Sequence, residues 1–182
     1  CALSAARAGK SHGGGRRMTA QVRPLTHSAA SFFMTVAIVA ALDLWSKSWM
    51  TELLAPMRRT IEIAPFFNLR LGHNPGISFG LFPASTDEAR AALLGVAVVL
   101  ALLLIVLGLR ARQRLGFALI AGGPVGNAAD RRGDGYVTDF LDFHAFGWHW
   151  PTFNLADVAI TYGVNLLLFA TYQSMRADDT LL

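Results

Sequence analysis

Charge is scarce in this chain. Only 15% of its 182 residues are Asp, Glu, Lys or Arg, while 53% are hydrophobic. A soluble domain typically carries about 25% charged residues. The balance implies a membrane protein of one domain, with too little polar sequence for a second. Cysteine is scarcer still. Cys1 stands alone, which excludes an internal disulfide and a Cys-based zinc centre and leaves hardly a thiol nucleophile. The HExxH, GxSxG, P-loop and GxGxxG patterns are all missing. A zinc peptidase of the first kind and a serine hydrolase with a nucleophile elbow are therefore disfavoured. The net charge of +4 does not signal nucleic acid, because no recognition motif accompanies it. The arginines cluster between apolar runs, as the positive-inside rule expects.

What the chain has in plenty is long apolar stretches. The first runs from Ser28 to Met50, the second from Ala89 to Leu109 and the fourth from Leu155 to Tyr172. Each is long enough to cross a hydrocarbon core of about 30 Å. The third, Leu115 to Ala129, is shorter and interrupted by glycines and Pro124. The expectation is four transmembrane helices. Arg16, Arg17 and Arg23 precede the first, Arg110, Arg112 and Arg114 separate the second from the third, and Arg176 follows the fourth. Four crossings would put these segments on one side, so both termini are expected in the cytoplasm. Segments 51–88 and 130–154 would then face outward, with Trp45, Trp49, Trp148 and Trp150 marking the outer interface.

Residues 1–17 (CALSAARAGKSHGGGRR) lack an apolar h-region, so they do not read as a secretory signal peptide. Met18 reads as the initiator. Residues 1–17 are then an extension, and residues 18–182 form one integral membrane domain. In the outer segment, Thr60 to Ile63 and Phe66 to Leu71 have β-type content, and Asn74-Pro75-Gly76 signals a turn. Ile77 to Gly80 is expected to return as a strand, and Tyr136 to Phe140 adds another β-like run. A small sheet on the outer face follows.

The polar residues that remain are the ones with chemistry. Asn127-Ala128-Ala129-Asp130 ends the third run, and Asn154-Leu155-Ala156-Asp157 opens the fourth. A carboxylate at such a junction is costly unless something uses it. On a helix, residues three apart share a face, so each Asn can hold its carboxylate or a substrate carbonyl. The plainer alternative is helix capping, which suits Asn154 at a helix start. Likewise Asp130 can pair with Arg131 or Arg132, and Asp157 can cap the fourth helix. Taken together, the two carboxyls lie at one expected depth near the outer surface and can share one proton. The ionised member would activate water, and the neutral member would protonate the oxyanion that forms on an amide carbonyl. Asp43 and Lys47, four apart on one helix face, form either an interfacial ion pair with Lys47 reaching the headgroups or a support that orients the site. Gly122, Gly123 and Gly126 suit close helix packing.

These residues, in this order, resemble the lipoprotein signal peptidase (signal peptidase II) family of bacterial inner membranes. The resemblance runs from about Phe33 to Phe169. Its most specific matches are Gly122-Gly123, Gly126-Asn127, Asp130-Arg131, Val137 with Asp139-Phe140, and Phe153 to Asp157. Asp43 with Lys47, and Asn74 with Gly76, Phe79 and Gly80, add weaker ones. The resemblance implies four transmembrane helices with a small periplasmic β-cradle. It implies an endopeptidase that removes signal peptides from diacylglyceryl-modified prolipoproteins, cleaving before the lipidated cysteine. By that match Asp130 and Asp157 would be the catalytic pair. Asp43, Lys47, Asn74, Gly76, Asn127, Arg131, Asn154 and Ala156 would support the site or the substrate. No cofactor or metal would be needed, membrane lipid would surround the site, and globomycin-type cyclic peptides would inhibit. Ser46, Pro124 and Val158 depart from the commonest pattern, and Ala128 and Ala129 are smaller than the usual pair. A different class, a small proton- or ion-coupled transporter subunit, would instead want carboxylates near the bilayer midplane and two similar halves. The sequence shows neither.

Overall fold

The computed structural model describes residues 29–57, 60–75, 86–133 and 135–179. The 1–17 extension, Gly76 and the expected strand Ile77–Gly80 lie outside the described residues. Four helices and a small sheet alternate along the chain. Helix α1 spans Ala29–Leu54 and ends in a short 3-10 turn, Ala55–Met57. Strands β1 (Thr60–Ala64) and β2 (Phe67–Asn74) follow, then α2 (Asp87–Arg110) and α3 (Arg114–Arg131). Strands β3 (Val137–Ala145) and β4 (Trp148–His149) lead into α4 (Leu155–Asp179).

Three of these helices, α1, α2 and α4, are long and apolar enough to cross a membrane. They show large apolar side chains on their outer surface. Val99 of α2 is 65% exposed and Leu168 of α4 is 64% exposed, which in water would be costly and in lipid is not. Helix α3 differs in composition because it differs in position. It packs against α1, α2 and α4 alike, so its surface meets protein and is built from small residues. Ala118, Ala121, Gly122, Gly123, Pro124 and Gly126 are buried along it. A methyl group on Gly122 would sit 2.6 Å from Val39 Cβ, and one on Gly123 would sit 2.6 Å from Ile160 Cγ1. The glycines that interrupt the apolar run therefore set how closely α1 and α4 approach.

The sheet is antiparallel in the order β1-β2-β3-β4. Strand β2 pairs with β1 on one edge and β3 on the other; Asn74 lies opposite Val137 and Asn68 opposite Asp142. Strand β3 runs well past the expected Phe140. A register shift between Leu69 and Gly72 breaks the alternation, and Val137, Thr138, Asp139 and Phe140 are all buried in succession. Met50 and Leu54 at the end of α1 pack with Phe140, with Leu69, Leu71, Leu141 and Leu155 around them. This cluster fixes the sheet to the ends of α1 and α4.

Candidate active site

Two polar sets lie side by side where the helices meet the sheet. The first is a buried knot. Lys47 is 2% exposed and Asp43 0%, so Lys47 points into the bundle and not toward headgroups. Its Nζ donates to Asp43 Oδ2 at 2.6 Å and to Asn127 Oδ1 at 2.6 Å. It also lies 3.5 Å from Asp130 Oδ2. Asp43 Oδ1 accepts the Ala156 N–H at 2.9 Å, tying α1 to the first turn of α4. Gly126 makes room for this carboxylate, since a methyl group there would stand 2.6 Å from Asp43 Oδ2. Asp130 Oδ2 accepts the Thr138 N–H at 2.7 Å, which ties the end of α3 to β3.

The second set is Asn74, Asp139, Asn154 and Asp157. Asn154 and Asp157 form a reciprocal cap at the start of α4. The Asp157 N–H donates to Asn154 Oδ1, and the Asn154 N–H donates to Asp157 Oδ2, both at 3.2 Å. Such a cap satisfies two of the free donors of a helix start. Asn154 is fully buried, and its Nδ2 is shared among acceptors, the nearest being Asp139 Oδ1 at 2.6 Å. It also reaches Asn127 Oδ1 at 3.3 Å, where the two sets touch. Asn74 Nδ2 donates to the other Asp139 oxygen at 3.3 Å. Asn154 thus holds both carboxylates, one through its backbone and one through its side chain.

Asp139 and Asp157 both line a cavity of about 720 Å³, including its mouth. One wall is apolar, from Leu93, Val96 and Leu100 of α2 and Ile160 of α4; Asn127 and Arg131 complete the polar side. Asp130, expected as one of the pair, does not line it. Its carboxylate is taken up by Lys47 and the β3 backbone. Burial, and after it the negative charge of Asp157, push the Asp139 carboxyl up to about 7, against the pull of Asn154, Asn74 and Lys47. Sequence reasoning carried Asp139 only as a motif match without a role. The signal available was a carboxylate inside a β-like apolar run. Ala156 and Asp43 are brought to the site as supports, and Arg131 to its rim. Among the described residues, no group of three or more His, Cys, Asp or Glu is gathered as a metal would require.

This geometry meets a clear relationship. The signal peptidase (SPase) II family profile matches residues 35–173. The chain belongs to the signal peptidase II family. It is 37% identical over 157 residues to a lipoprotein signal peptidase of Yersinia enterocolitica, covering 84% of this chain and 92% of that one. The same identity and coverage hold for a lipoprotein signal peptidase of Yersinia pestis. A bacterial membrane enzyme solved by the in meso method at 2.3 Å resolution shares the fold, with TM-score 0.68 and 22% identity over 80% of this chain and 90% of that one. A second, at 1.9 Å, matches with TM-score 0.65 at 22% identity over 82% and 97%. The apolar-walled cavity with two carboxyls is therefore the candidate active site of this peptidase.

Proposed function

We propose that Asp139 and Asp157 form the catalytic dyad of this signal peptidase, and that its substrates are diacylglyceryl-modified prolipoproteins. The observation that carries the assignment is that these two carboxyls share one cavity and one organising residue, Asn154. Two carboxyls so placed hold one proton between them near neutrality. At the start of the reaction Asp139 holds the proton and Asp157 is ionised. Asp157 takes a proton from water as the water oxygen bonds to the scissile carbonyl carbon, and Asp139 gives its proton to the carbonyl oxygen. The resulting diol returns a proton to Asp139 as the carbon–nitrogen bond breaks, and Asp157 passes its proton to the departing amine. The amine is that of the lipid-modified cysteine. Asn74 and Asn154 keep Asp139 oriented through both steps.

The setting follows the same reading. Helix α3, 18 residues and about 27 Å long, serves as a fourth crossing sheathed by the other three. With four crossings and the arginine placement, both termini are cytoplasmic, and the sheet and dyad lie at the periplasmic face. A lipid-anchored cysteine is held at that depth by its own acyl chains. Globomycin-type peptides would compete for the same cavity. The test is turnover of a diacylglyceryl-modified precursor by purified Asp139→Asn, Asp157→Asn and Asp130→Asn variants. Turnover should vanish in the first two and persist, reduced, in the third. Abolition by Asp130→Asn in a folded protein, with Asp139→Asn active, would return the pairing to Asp130 and Asp157.

A further inference from the structure

Strand β3 carries two aspartates on opposite faces. Asp139 lines the dyad cavity; Asp142, three residues on, does not. Strand β2 meets each with an asparagine. Asn68 Nδ2 donates to Asp142 Oδ2 and Asn74 Nδ2 to Asp139 Oδ2, both at 3.3 Å. These asparagines are six residues apart and would share a face in a regular strand. The register break lies between them, with Arg70 and Leu71 of β2 opposite Phe140 alone. That extra residue turns the rest of β2 over, so each asparagine meets its own aspartate. Burial does not choose between registers here. Val137, Thr138, Asp139 and Phe140 are buried in succession. A slip by one residue would bury much the same surface while turning Asp139 away from the cavity.

The register is held at Asp142. It is fully buried, and three strands meet at its carboxylate. Asn68 reaches it from β2. His149 Nδ1 of β4 lies 2.9 Å from both oxygens, and Arg70 Nε of β2 lies 3.5 Å from Oδ2. This carboxylate cannot slide out of the cluster without becoming a buried, unpaired charge. The next residue back secures the other edge of β3. Phe140 and Leu141 donate their N–H groups to the Phe153 carbonyl at 3.0 and 2.9 Å, and the Phe153 N–H donates to the Leu141 carbonyl at 3.0 Å. Asn154, which organises the pair, follows Phe153 directly. We propose that Asp142 is a positioning residue for the hydrolysis: clamped by Asn68, Arg70 and His149, it fixes the register of β3 and so holds Asp139 beside Asp157. The inference rests on the dyad reading above.

The experiment uses the full-length protein in detergent. Asp142→Ala should lower kcat about a hundredfold, the effect of a misplacement of about 1 Å, with KM little changed. The alkaline limb of kcat/KM should move down by about one pH unit, because Asp139 gives up its proton more readily once Asp157 is further away. A residue that only stabilised the sheet would lower the melting temperature and leave that limb in place. Asp142→Asn should restore most of the rate and the limb. Its amide oxygen can accept from His149, and its NH₂ can donate to Asn68 Oδ1 once that amide turns over. Asn68 Oδ1 is buried and has no partner among the described residues. If Asp142→Ala does not fold, Asn68→Ala cuts the β2 link, leaves Asp142 beside Arg70 and His149, and should move the limb the same way. Hydrogen exchange reads the strand without turnover: the Phe140, Leu141 and Phe153 N–H groups should exchange faster in the alanine variants. An unmoved limb in folded alanine variants would overturn the proposal, and so would exchange as slow as in the wild type. Full turnover by Asp139→Asn would overturn the dyad reading instead, and exchange would still decide whether Asp142 holds the strand.

Discussion

The knot around Lys47 and the pair at Asn154 are made of the same materials and, on the proposed dyad, do opposite things. Both put carboxyls beside asparagines where helix ends meet the sheet. In the knot, Asp43 and Asp130 have a cation within reach and backbone N–H groups to bond. These contacts tie α1 to α4 and α3 to β3. At the pair, Asp139 and Asp157 have amide donors, each other and, only from further off, the pull of Lys47, with an open cavity in front. A charge that is compensated holds a structure together; a charge that is not compensated is poised to move a proton. The sharpest way to break this contrast is to remove one proton site from the pair. Asp139→Asn or Asp157→Asn should lower turnover on the order of 10³-fold or more, and the double variant little further, as members of one unit do. Thermal melting in detergent should find all three folded. Additive losses would mean that the two carboxyls act separately.

The knot should fail in the other way. Lys47→Met leaves Asp43 buried without its cation, and removing one partner of a buried pair costs about 3–5 kcal/mol. The melting temperature should fall sharply, and activity with it. Adding Asp43→Asn to that variant should recover much of the lost stability, because the fully buried charge is then gone and Asp130 keeps the Thr138 N–H. A Lys47→Met protein that melts normally yet turns over nothing would move Lys47 from the structure into the chemistry.

Asp139 also makes the contrast visible in pH. Its folded value, about 7, lies above the ordinary 3.8. Below pH 3.8 both folded and unfolded chains hold the proton, and its contribution to stability is fully present. As pH rises from there to about 7, the unfolded chain ionises first and that contribution is lost, about 4 kcal/mol across the window. Asp139→Asn should therefore melt more like wild type at pH 4 and gain on it steadily toward pH 8. The kcat/KM of the wild type should fall on its alkaline side through an apparent value near 7, as the pair loses its shared proton. An alkaline limb far above 8 would take the proton-holding role away from Asp139.

Much of this was legible in the residues. Three apolar runs became three long helices, because the length and continuity of such a run determine its fate in lipid. The third run was legible only as interrupted. Its glycines and Pro124 make sense once Val39 and Ile160 are seen pressed against them. The two Asn-x-x-Asp endings were visible, and helix spacing gave each a local partner. That local logic led to Asp130. The carboxyl that shares a cavity with Asp157 arrives on a strand, where period-two alternation decides which side chain faces in. A register shift opposite β3 breaks that alternation, so no pattern in Tyr136 to Phe143 could tell Asp139 from Asp142. The sheet separates them. Burial works to raise the Asp142 carboxyl, but His149, Asn68 and Arg70 together outweigh it and hold it below its ordinary value. Asp142 thus repeats the compensated pattern of the knot.

A residue outside both sets gives the smallest effect and the baseline for the others. Ala145 pairs with Trp148 across a two-residue turn, and both turn residues, Phe146 and Gly147, have positive φ, 52° and 81°. That is the turn geometry that favours Asn-Gly. A phenylalanine there bears a left-handed strain of about 1 kcal/mol, and its side chain is fully exposed. It does not line the dyad cavity. Phe146→Asn should therefore raise stability by about 1 kcal/mol, by relieving the turn, and leave turnover of every substrate unchanged. Melting curves and turnover kinetics on the one variant measure both. A loss of turnover from this change would show that the hairpin tip takes part in catalysis or substrate capture, and the line between compensated scaffold and reactive pair would have to be drawn further out along the sheet.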